Sequence, residues 1–354
     1  MRTKVLLAVD GNSIAHRAFH AQAATGLRTA EGRPMWAVRG LVSQLTAAID
    51  RIGPSSVVVG FDDPSDSHRR ARWPQYKAGR VDKLETLVGQ LELAVSVLRD
   101  LGIPVIVPAG LEADDVLASA ARTARAHDCS AVLMTSDRDS FALIDDNTSV
   151  LRIINGGVEA SPLLSPERLV TLLGVRPQQY RDFAALRGDP SDNLPGVRGI
   201  GPKTAARLLC ALGSARAAFD DLSGGGARVS EAIGNAAAQR LADPAARAAW
   251  ELNCQVMALH PDVDLDLRLD DENALLPLPA DAVRSVFGLL QLPATLPNAL
   301  RVLAHHEMPD APARIAWSKS AESWDNARPW PRQRYGRLPV KKEEPAAEQL
   351  ALFA

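Results

Sequence analysis

The acidic residues of this sequence that could carry out chemistry lie at the ends of short apolar segments. Asp10, Asp62 and Asp137 each end or closely follow such a segment, and Asp139 lies two positions after Asp137. Ligands of open α/β sheets bind outside the carboxyl ends of the strands, so we expect these carboxylates to share one sheet edge. Carboxylates brought together repel one another, and a bound cation is the natural compensation.

Two further acidic groups follow along the chain. Glu112, Asp114 and Asp115 open a predicted helix, and Asp189 and Asp192 precede a glycine-rich segment. Acidic residues in a first helical turn favour the helix dipole, and an Asp-Pro sequence favours a turn, so each group also has a purely structural explanation. Three acidic residues within four positions exceed what helix capping requires.

These carboxylates predict a site for hard divalent cations. No histidine or cysteine accompanies them at metal-ligand spacing, and oxygen-only ligands favour Mg²⁺ or Mn²⁺. Nine carboxylates are too many for one Mg²⁺, which keeps several waters, but they suit two ions about 4 Å apart. Such a pair supports displacement at phosphorus by water, and we expect Asp10 and Asp137 to be catalytic there.

Basic residues between the second predicted strand and the following long helix could contact DNA. The segment 68–80 carries the candidates Arg70, Tyr76, Lys77 and Arg80. Positive charge interleaved with aromatic rings suits phosphate contact and base stacking, although an exposed basic loop is the alternative explanation. Arg17 lies one to two helical turns beyond Asp10, close enough to hold a phosphate there.

A glycine-rich segment at residues 194–205 predicts a helix-hairpin-helix. Gly199 and Gly201 precede a predicted helix whose first turn carries Lys203 and Thr204. The backbone amides exposed at such a turn can contact a phosphate without reading the base. A glycine-rich turn between two helices with no ligand is the alternative.

The elements that must position these residues alternate in the first half of the chain. Apolar segments predict buried strands at Val5–Val9, Val57–Phe61, Ile103–Val107, Ala131–Met134 and Val150–Ile154. Amphipathic segments between them predict helices, including Met35–Arg51 and Glu85–Leu101. This alternation predicts an α/β fold with a mostly parallel central sheet and helices on both faces, similar to PIN and Rossmann folds. The first strand lacks a GxGxxG turn, which disfavours dinucleotide binding.

The pattern becomes helical after about residue 175, and no strand pattern appears in that part. Predicted helices cover Gln178–Arg187, Lys203–Leu212, Arg216–Leu222, Val229–Ala242 and Ala245–Leu259. We therefore predict an α/β core at 1–175, a helical module at 176–260 and a segment at 261–305 in which Ala280–Leu290 packs back on the core. Residues 306–354 are rich in Pro, Trp and Arg without periodicity, which predicts a disordered basic tail.

Composition narrows the class of protein. A length of 354 residues predicts about two domains. Three cysteines without a CxxC pair predict neither a disulfide framework nor a zinc site and favour a reducing compartment. No apolar run reaches the roughly 18 residues that a membrane helix needs, so we expect a cytoplasmic, nucleoid-associated protein without a membrane partner.

Seven motifs together resemble the 5′-nuclease (flap endonuclease) family, especially the 5′-3′ exonuclease domain of bacterial DNA polymerase I. They are VDGN at 9–12, FDD at 61–63, YKAGR at 76–80, EADDVLAS at 112–119, TSDRD at 135–139, GDPSDNLPGV at 188–197 and GIGPKTA at 199–205. They cover about residues 4–260 in the family's order. No polymerase sequence follows, so we expect a stand-alone nuclease.

The resemblance implies hydrolysis of DNA that carries 5′ flaps, nicks or free 5′ ends, in Okazaki-fragment processing and DNA repair, by a monomer. It implies two Mg²⁺ or Mn²⁺ ions held by all nine carboxylates: Asp10, Asp62, Glu112, Asp114, Asp115, Asp137, Asp139, Asp189 and Asp192. It places Lys77 and Arg80 as catalytic residues on a helical gateway at about 65–100, near the scissile phosphate. It also implies K⁺ on the carbonyl groups of the hairpin.

The last residues resemble the peptide by which bacterial replication proteins bind the sliding clamp. The candidate anchors are Gln349, Leu350, Leu352 and Phe353. Apolar side chains at the end of a polar tail have no core to enter, which favours docking on a partner. Packing of this segment on the fold, or chance, is the alternative.

Two other functions stay open at this point. A PIN-type ribonuclease would share the acidic strand ends, but the hairpin and the YKAGR motif disfavour it. A non-catalytic protein that binds DNA junctions or the clamp would gain affinity by losing the carboxylates. The net charge of −2 does not exclude DNA, because the nine acidic residues are concentrated in one site and leave the rest of the chain basic.

Overall fold

A six-stranded sheet lies at the centre of the computed structural model, which describes residues 4–80, 83–267, 269 and 275–305. The strands are β1 (Val5–Asp10), β2 (Ser56–Gly60), β3 (Val105–Ile106), β4 (Ser130–Thr135), β5 (Thr148–Arg152) and β6 (Leu163–Leu164). Their order is β3-β2-β1-β4-β5-β6, and every pairing is parallel except that of β6 with β5. The predicted mostly parallel sheet is therefore confirmed.

The register brings the carboxyl ends of the three central strands together. Asp10 pairs with Gly60 on one side of β1, and Val9 pairs with Met134 on the other. β1, β2 and β4 thus end at the same level, and the acidic residues that follow them lie at one edge.

Helices cover both faces of the sheet, as predicted. In the first half of the chain they are α1 (Gly11–Gln22), α2 (Trp36–Ile52), α3 (His68–Arg72), α4 (Glu85–Asp100), α5 (Ala113–Ala126), α6 (Gly157–Ala160) and α7 (Pro166–Leu173). Short 3-10 helices lie at Ala23–Thr25 and Asp139–Leu143. Successive side chains of β1 enter different cores, because side chains alternate across a strand. Leu6 packs in the cluster that contains Val116 of α5, and Leu7 packs with Leu41 of α2.

The second half is mainly helical. Its helices are α8 (Pro177–Arg187), α9 (Pro202–Leu212), α10 (Ala215–Ser223), α11 (Ala227–Ile233), α12 (Asn235–Leu241), α13 (Pro244–Val256), α14 (Ala280–Leu289) and α15 (Leu296–Leu303). The predicted single helix at 229–242 is wrong, because Gly234 adopts a φ of +82° and separates α11 from α12. The expectation of no strand after 175 is also wrong.

Two short strands, β7 (Gly188–Asp189) and β8 (Leu194–Pro195), form an antiparallel pair around a 3-10 turn at Pro190–Asp192. The approach of their backbones at Gly188 and Gly196 is so close that a Cβ on either would collide with main-chain atoms. The turn between the strands presents the third acidic group.

The helical part packs against the core rather than standing apart from it. Tyr180 and Phe183 of α8 share one apolar cluster with Leu6 of the sheet. Phe287 of α14 lies in the cluster on the opposite face, with Leu7. α14 therefore packs on the core, whereas the predicted domain boundaries themselves stay predictions.

In the part of the chain that the structure describes, no helix has the length and apolar character needed to cross a membrane. The predicted tail at 306–354 and the terminal anchors Gln349, Leu350, Leu352 and Phe353 lie outside the described residues.

Candidate metal centre and nucleic-acid interface

Asp10 is held at the end of β1 by neutral hydrogen-bond donors. Its Oδ1 accepts a bond from the backbone N–H of Ser13 at 2.8 Å, which caps α1, and its Oδ2 accepts one from Thr135 Oγ1 at 2.8 Å. Burial raises the pKa of Asp10 to about 7, against these two bonds, and the charges of Asp62 and Asp137 raise it further. Burial and two neighbouring carboxylates thus raise the pKa of Asp10, an effect that a bound cation would offset.

Asp62 is fixed beside Asp10 in a similar way. Its Oδ2 accepts a hydrogen bond from Asn12 Nδ2 at 2.8 Å, and its Oδ1 accepts one from the backbone N–H of Ala113 at 3.0 Å. The Lys83 ammonium lies 3.8 Å from it, close to the limit for an ion pair. Asn12 belongs to the VDGN motif, and its amide links the ends of β1 and β2.

The acidic residues after β4 meet the third acidic group. Burial raises the pKa of Asp139 to about 7, and the charges of Asp137, Asp192 and Asp189 all raise it further. Asp189 Oδ1 accepts a bond from the backbone N–H of Ser191 at 2.9 Å, so the turn after β7 fixes its orientation. The structure thus brings together residues that are about fifty positions apart in the sequence.

The second acidic group contacts a buried arginine. Arg69, on α3, is 4% exposed and lies 2.6 Å from Glu112, 3.0 Å from Asp114 and 2.7 Å from Asp115. Sequence analysis did not single out Arg69, because its neighbours suggested an exposed basic loop. The clue available in the sequence was the excess of acidic residues in the EADD motif, which needs a cation from somewhere in the fold.

Asp115 is satisfied entirely by the protein. Its Oδ1 binds Arg69 and also accepts from the backbone N–H of His260 at 2.8 Å, while its Oδ2 accepts from the N–H of Glu112 at 3.1 Å. The side chain is 0% exposed. Both oxygens of Asp115 are thus already bonded within the protein, which argues against the predicted role of Asp115 as a metal ligand.

Glu112 and Asp114 differ in how far protein cations already neutralise their carboxylates. Glu112 binds Arg69, the Tyr76 hydroxyl at 3.0 Å and the Lys77 ammonium at 2.9 Å. Burial would raise the pKa of Glu112, but Lys77 and Arg69 hold it below its ordinary value. Burial raises the pKa of Asp114 well above its usual range despite the Arg69 charge. Asp114 is also 23% exposed, so it is the member of this group that can still take an outside cation.

The two basic residues of the YKAGR motif form ion pairs with carboxylates of the acidic groups. Lys77 pairs with Glu112, and Arg80 pairs with Asp192. The backbone N–H of Lys77 also donates to the carbonyl of Asp192 at 2.9 Å, and its φ of +58° is rare for a residue other than glycine. The structure therefore places both cationic side chains inside the acidic edge.

Three other predicted DNA contacts have different surroundings. Tyr76 is 6% exposed, packs with Leu194 and Val256, and donates its hydroxyl to Glu112. The burial of its ring argues against the predicted stacking on a base. Arg70 is exposed on α3, and Arg17 donates to Asn155 Oδ1 at 3.0 Å.

The glycine-rich hairpin lies at the start of α9. Gly199 has a φ of +78°, and a Cβ there would lie 2.7 Å from Cδ of Arg240. Gly201 caps α9, whose exposed first turn carries Lys203 and the partly exposed Thr204. Arg240, on α12, was not predicted; it adds an exposed positive charge over the hairpin.

The donor set fits hard divalent cations by its chemistry. In residues 4–80, 83–267, 269 and 275–305, no three acidic, histidine or cysteine side chains already converge closely enough to hold one ion. The pKa values of Asp10 and Asp139 are nevertheless raised by burial and by neighbouring carboxylates, and the charge of Arg187 offsets this only in part at Asp139. Positive charge supplied from outside would reverse this repulsion, as it does at known Mg²⁺ sites.

Two family models match consecutive parts of the chain. The model described as "5′-3′ exonuclease, N-terminal resolvase-like domain" matches residues 5–171. The model described as "5′-3′ exonuclease, C-terminal SAM fold" matches residues 175–278. Together they span more than half of the chain, and they include every acidic group of the predicted site.

Curated relatives match over part of their length. DNA polymerase I of Mycobacterium tuberculosis (strain CDC 1551 / Oshkosh) is 38% identical over 228 residues, which are 64% of this chain and 25% of the polymerase. The thermostable DNA polymerase I of Thermus aquaticus is 35% identical over 299 residues, which are 83% of this chain and 34% of the polymerase. The chain therefore spans between a quarter and about a third of the length of these relatives.

Solved structures share the fold at low sequence identity. The T5 D15 protein co-crystallised with metal ions has a TM-score of 0.57 and 18% identity, covering 85% of this chain and 100% of its own. Flap endonuclease-1 from Methanococcus jannaschii has a TM-score of 0.52 and 15% identity, covering 85% and 93%. At such identities the likeness shows a common fold.

Proposed function

Because the chain belongs to the 5′-3′ exonuclease family, we propose that it hydrolyses DNA phosphodiester bonds at 5′ flaps, nicks and free 5′ ends with divalent cations. The observation that carries this proposal is the meeting of β1, β2 and β4 at one edge, where Asp10 and Asp139 have raised pKa values. Repulsion between these carboxylates does not stabilise the fold, whereas a cation site requires several carboxylates close together.

The residues proposed to hold two Mg²⁺ or Mn²⁺ ions are Asp10, Asp62, Asp114, Asp137, Asp139, Asp189 and Asp192. When bound, these cations supply an activated water and stabilise the charge on the phosphorus centre and the leaving oxygen. Glu112 does not bind a metal in this proposal; it holds the Lys77 ammonium beside the edge. Lys77 and Arg80 offer hydrogen bonds to the scissile phosphate. In the structure without DNA, these donors bind the carboxylates of Glu112 and Asp192 instead.

The duplex is proposed to lie across the hairpin. Gly199 and Gly201 offer backbone amides, and Lys203 and Thr204 add side-chain donors in the first turn of α9. K⁺ on the hairpin carbonyl groups belongs to the same proposal. Arg17 and Arg70 would contact the phosphates of the strand that carries the 5′ end.

In the cell, this activity fits Okazaki-fragment processing and DNA repair by a cytoplasmic, nucleoid-associated monomer. The chain matches only 25% and 34% of the length of two relatives named DNA polymerase I, so this cellular placement is part of the proposal.

A substrate panel tests the proposed function. With Mg²⁺, we expect a 5′-labelled flap duplex to be cut near the base of the flap, and EDTA to abolish the cut, because the carboxylates alone cannot activate water. Single-stranded RNA of the same sequence serves as the competing substrate. Cleavage of the RNA but not of the flap would favour a PIN-type ribonuclease, and tight binding without cleavage would favour a junction-binding protein.

Sliding-clamp docking through Gln349, Leu350, Leu352 and Phe353 is a separate part of the proposal, supported by sequence alone. We expect the full chain to bind purified bacterial clamp and the double substitution Leu352→Ala, Phe353→Ala to remove most of the affinity, because both apolar anchors are lost. Surface plasmon resonance measures the effect. Unchanged affinity of the double variant would end the idea, without bearing on nuclease activity.

A further inference from the structure

Arg69 lies where three separate parts of the chain meet. It belongs to α3, at the start of the segment that carries Lys77, and its guanidinium reaches the first turn of α5. Its Nη2 also donates to the carbonyl of Ala258 at 3.2 Å, just after α13. One side chain therefore connects the basic segment, the second acidic group and the exit of the helical module.

The contacts of Arg69 use its planar shape. Nη1 is shared between Glu112 at 2.6 Å and Asp114 at 3.0 Å, and Nη2 binds Asp115 at 2.7 Å. An arginine fork can serve several oxygens at fixed angles, whereas a lysine ammonium acts as a point charge. Burial of such an ion is costly unless it is paired, and here three carboxylates surround it.

The three carboxylates differ in what they can do after pairing. Asp115 is fully buried, and its Oδ1 accepts hydrogen bonds both from the Arg69 guanidinium and from the backbone N–H of His260. Asp114 is 23% exposed and its two oxygens accept from Nη1 of Arg69, while the N–H of the preceding Ala113 donates to Asp62 at the acidic edge. The anchor and the exposed carboxylate are thus held through one guanidinium.

We propose that Arg69 is a positioning residue for metal binding: it is anchored by Asp115 and the Ala258 carbonyl, and it orients Asp114 towards the metal site while Glu112 holds Lys77. This inference rests on the proposed function and adds a residue that acts through Asp114. A purely structural role, in which Arg69 only neutralises buried charge, would leave metal affinity unchanged in any variant that folds.

The test compares Arg69→Lys with Arg72→Lys, a matched control one helical turn away, where the guanidinium is exposed and lies over the Trp73 ring. Circular dichroism and thermal melting establish that each variant folds. Titration with Mn²⁺ alone, without DNA, measures metal affinity, and single-turnover cleavage of a flap duplex at varied Mg²⁺ measures the requirement for metal.

We expect Arg69→Lys to weaken Mn²⁺ binding by about tenfold or more, as loss of a partner to a ligating carboxylate does elsewhere. The Mg²⁺ concentration for half-maximal cleavage should rise by a similar factor, while duplex affinity in Ca²⁺ and the behaviour of Arg72→Lys stay at wild-type values. Wild-type Mn²⁺ affinity in a folded Arg69→Lys variant would overturn the inference.

Asp115→Asn keeps the inference testable if Arg69→Lys does not fold. Asparagine keeps the shape and an acceptor oxygen but weakens the anchor of Arg69, so Mn²⁺ affinity should fall in the same direction although both Asp115 oxygens are bonded within the protein. Unchanged Mn²⁺ affinity there would count against the inference. Failure of the wild-type chain to bind Mn²⁺ or cut the flap would instead contradict the proposed function itself.

Discussion

Replacement of Asp137 with asparagine is expected to slow single-turnover cleavage of a 5′-flap duplex by about a thousandfold, because roughly 4 kcal/mol of metal stabilisation would be lost from the transition state. The charge of Asp137 acts on carboxylates that come from two different parts of the chain. Its charge raises the pKa of Asp10 on the side of β1 and the pKa of Asp139 and Asp192 on the side of the β7–β8 turn.

The measurement is quench-flow cleavage at saturating DNA and enzyme excess, with Mn²⁺ titration of the same samples. Asp281→Asn is the matched control, since that side chain is 99% exposed on α14 and pairs with its neighbour Arg284. The control should cut at the wild-type rate. An Asp137→Asn variant that folds, binds Mn²⁺ and cuts like the control would remove Asp137 from the metal site.

Lys77→Met should lower the rate of the cleavage step by about a hundredfold, the usual effect of removing one preorganised donor to a developing charge. The Lys77 ammonium is held by Glu112, and its backbone is locked by the bond to the Asp192 carbonyl. The side chain is 12% exposed, so it contributes little to the outer surface that DNA first meets.

Loss of the Lys77 ammonium should affect the cleavage rate far more than the affinity for duplex DNA. Duplex affinity measured in Ca²⁺ should change by no more than about threefold, because one phosphate contact among many is lost. Lys77→Arg, which keeps the charge, should recover part of the rate. A large loss of affinity with an unchanged cleavage step would make Lys77 a DNA-binding residue and not a catalytic one.

The sequence could predict the acidic edge because parallel strands impose it. Short valine-rich segments identified β1, β2 and β4, and once they are parallel neighbours the residues after them must meet. β3 is shorter than its apolar segment, because Pro104 has no N–H to donate to the sheet. The apolar segments of the sequence therefore predict which strands end in acidic residues. The parallel pairing of those strands determines where the acidic residues lie.

Tertiary contacts determine which side chains of the basic segment are buried, and the sequence pattern does not show this. Arg69 and Arg70 are adjacent, yet Arg69 is buried among three carboxylates and Arg70 is exposed, because only one face of the short α3 meets α5. Packing against Leu194 and Val256 buries Tyr76, whose ring a sequence motif suggests for base stacking. Charge clusters in sequence show which residues need partners, but only the fold shows which partners they find.

The proposed reaction requires two divalent cations at the acidic edge. Anomalous diffraction from crystals of the wild-type chain grown with Mn²⁺ should show two peaks at the acidic edge, in contact with carboxylates among the proposed ligands Asp10, Asp62, Asp114, Asp137, Asp139, Asp189 and Asp192. No peak should contact Asp115, whose oxygens are already taken by Arg69 and backbone N–H groups. Peaks absent from this edge, while the same protein cuts flap DNA in Mn²⁺, would contradict the two-metal site.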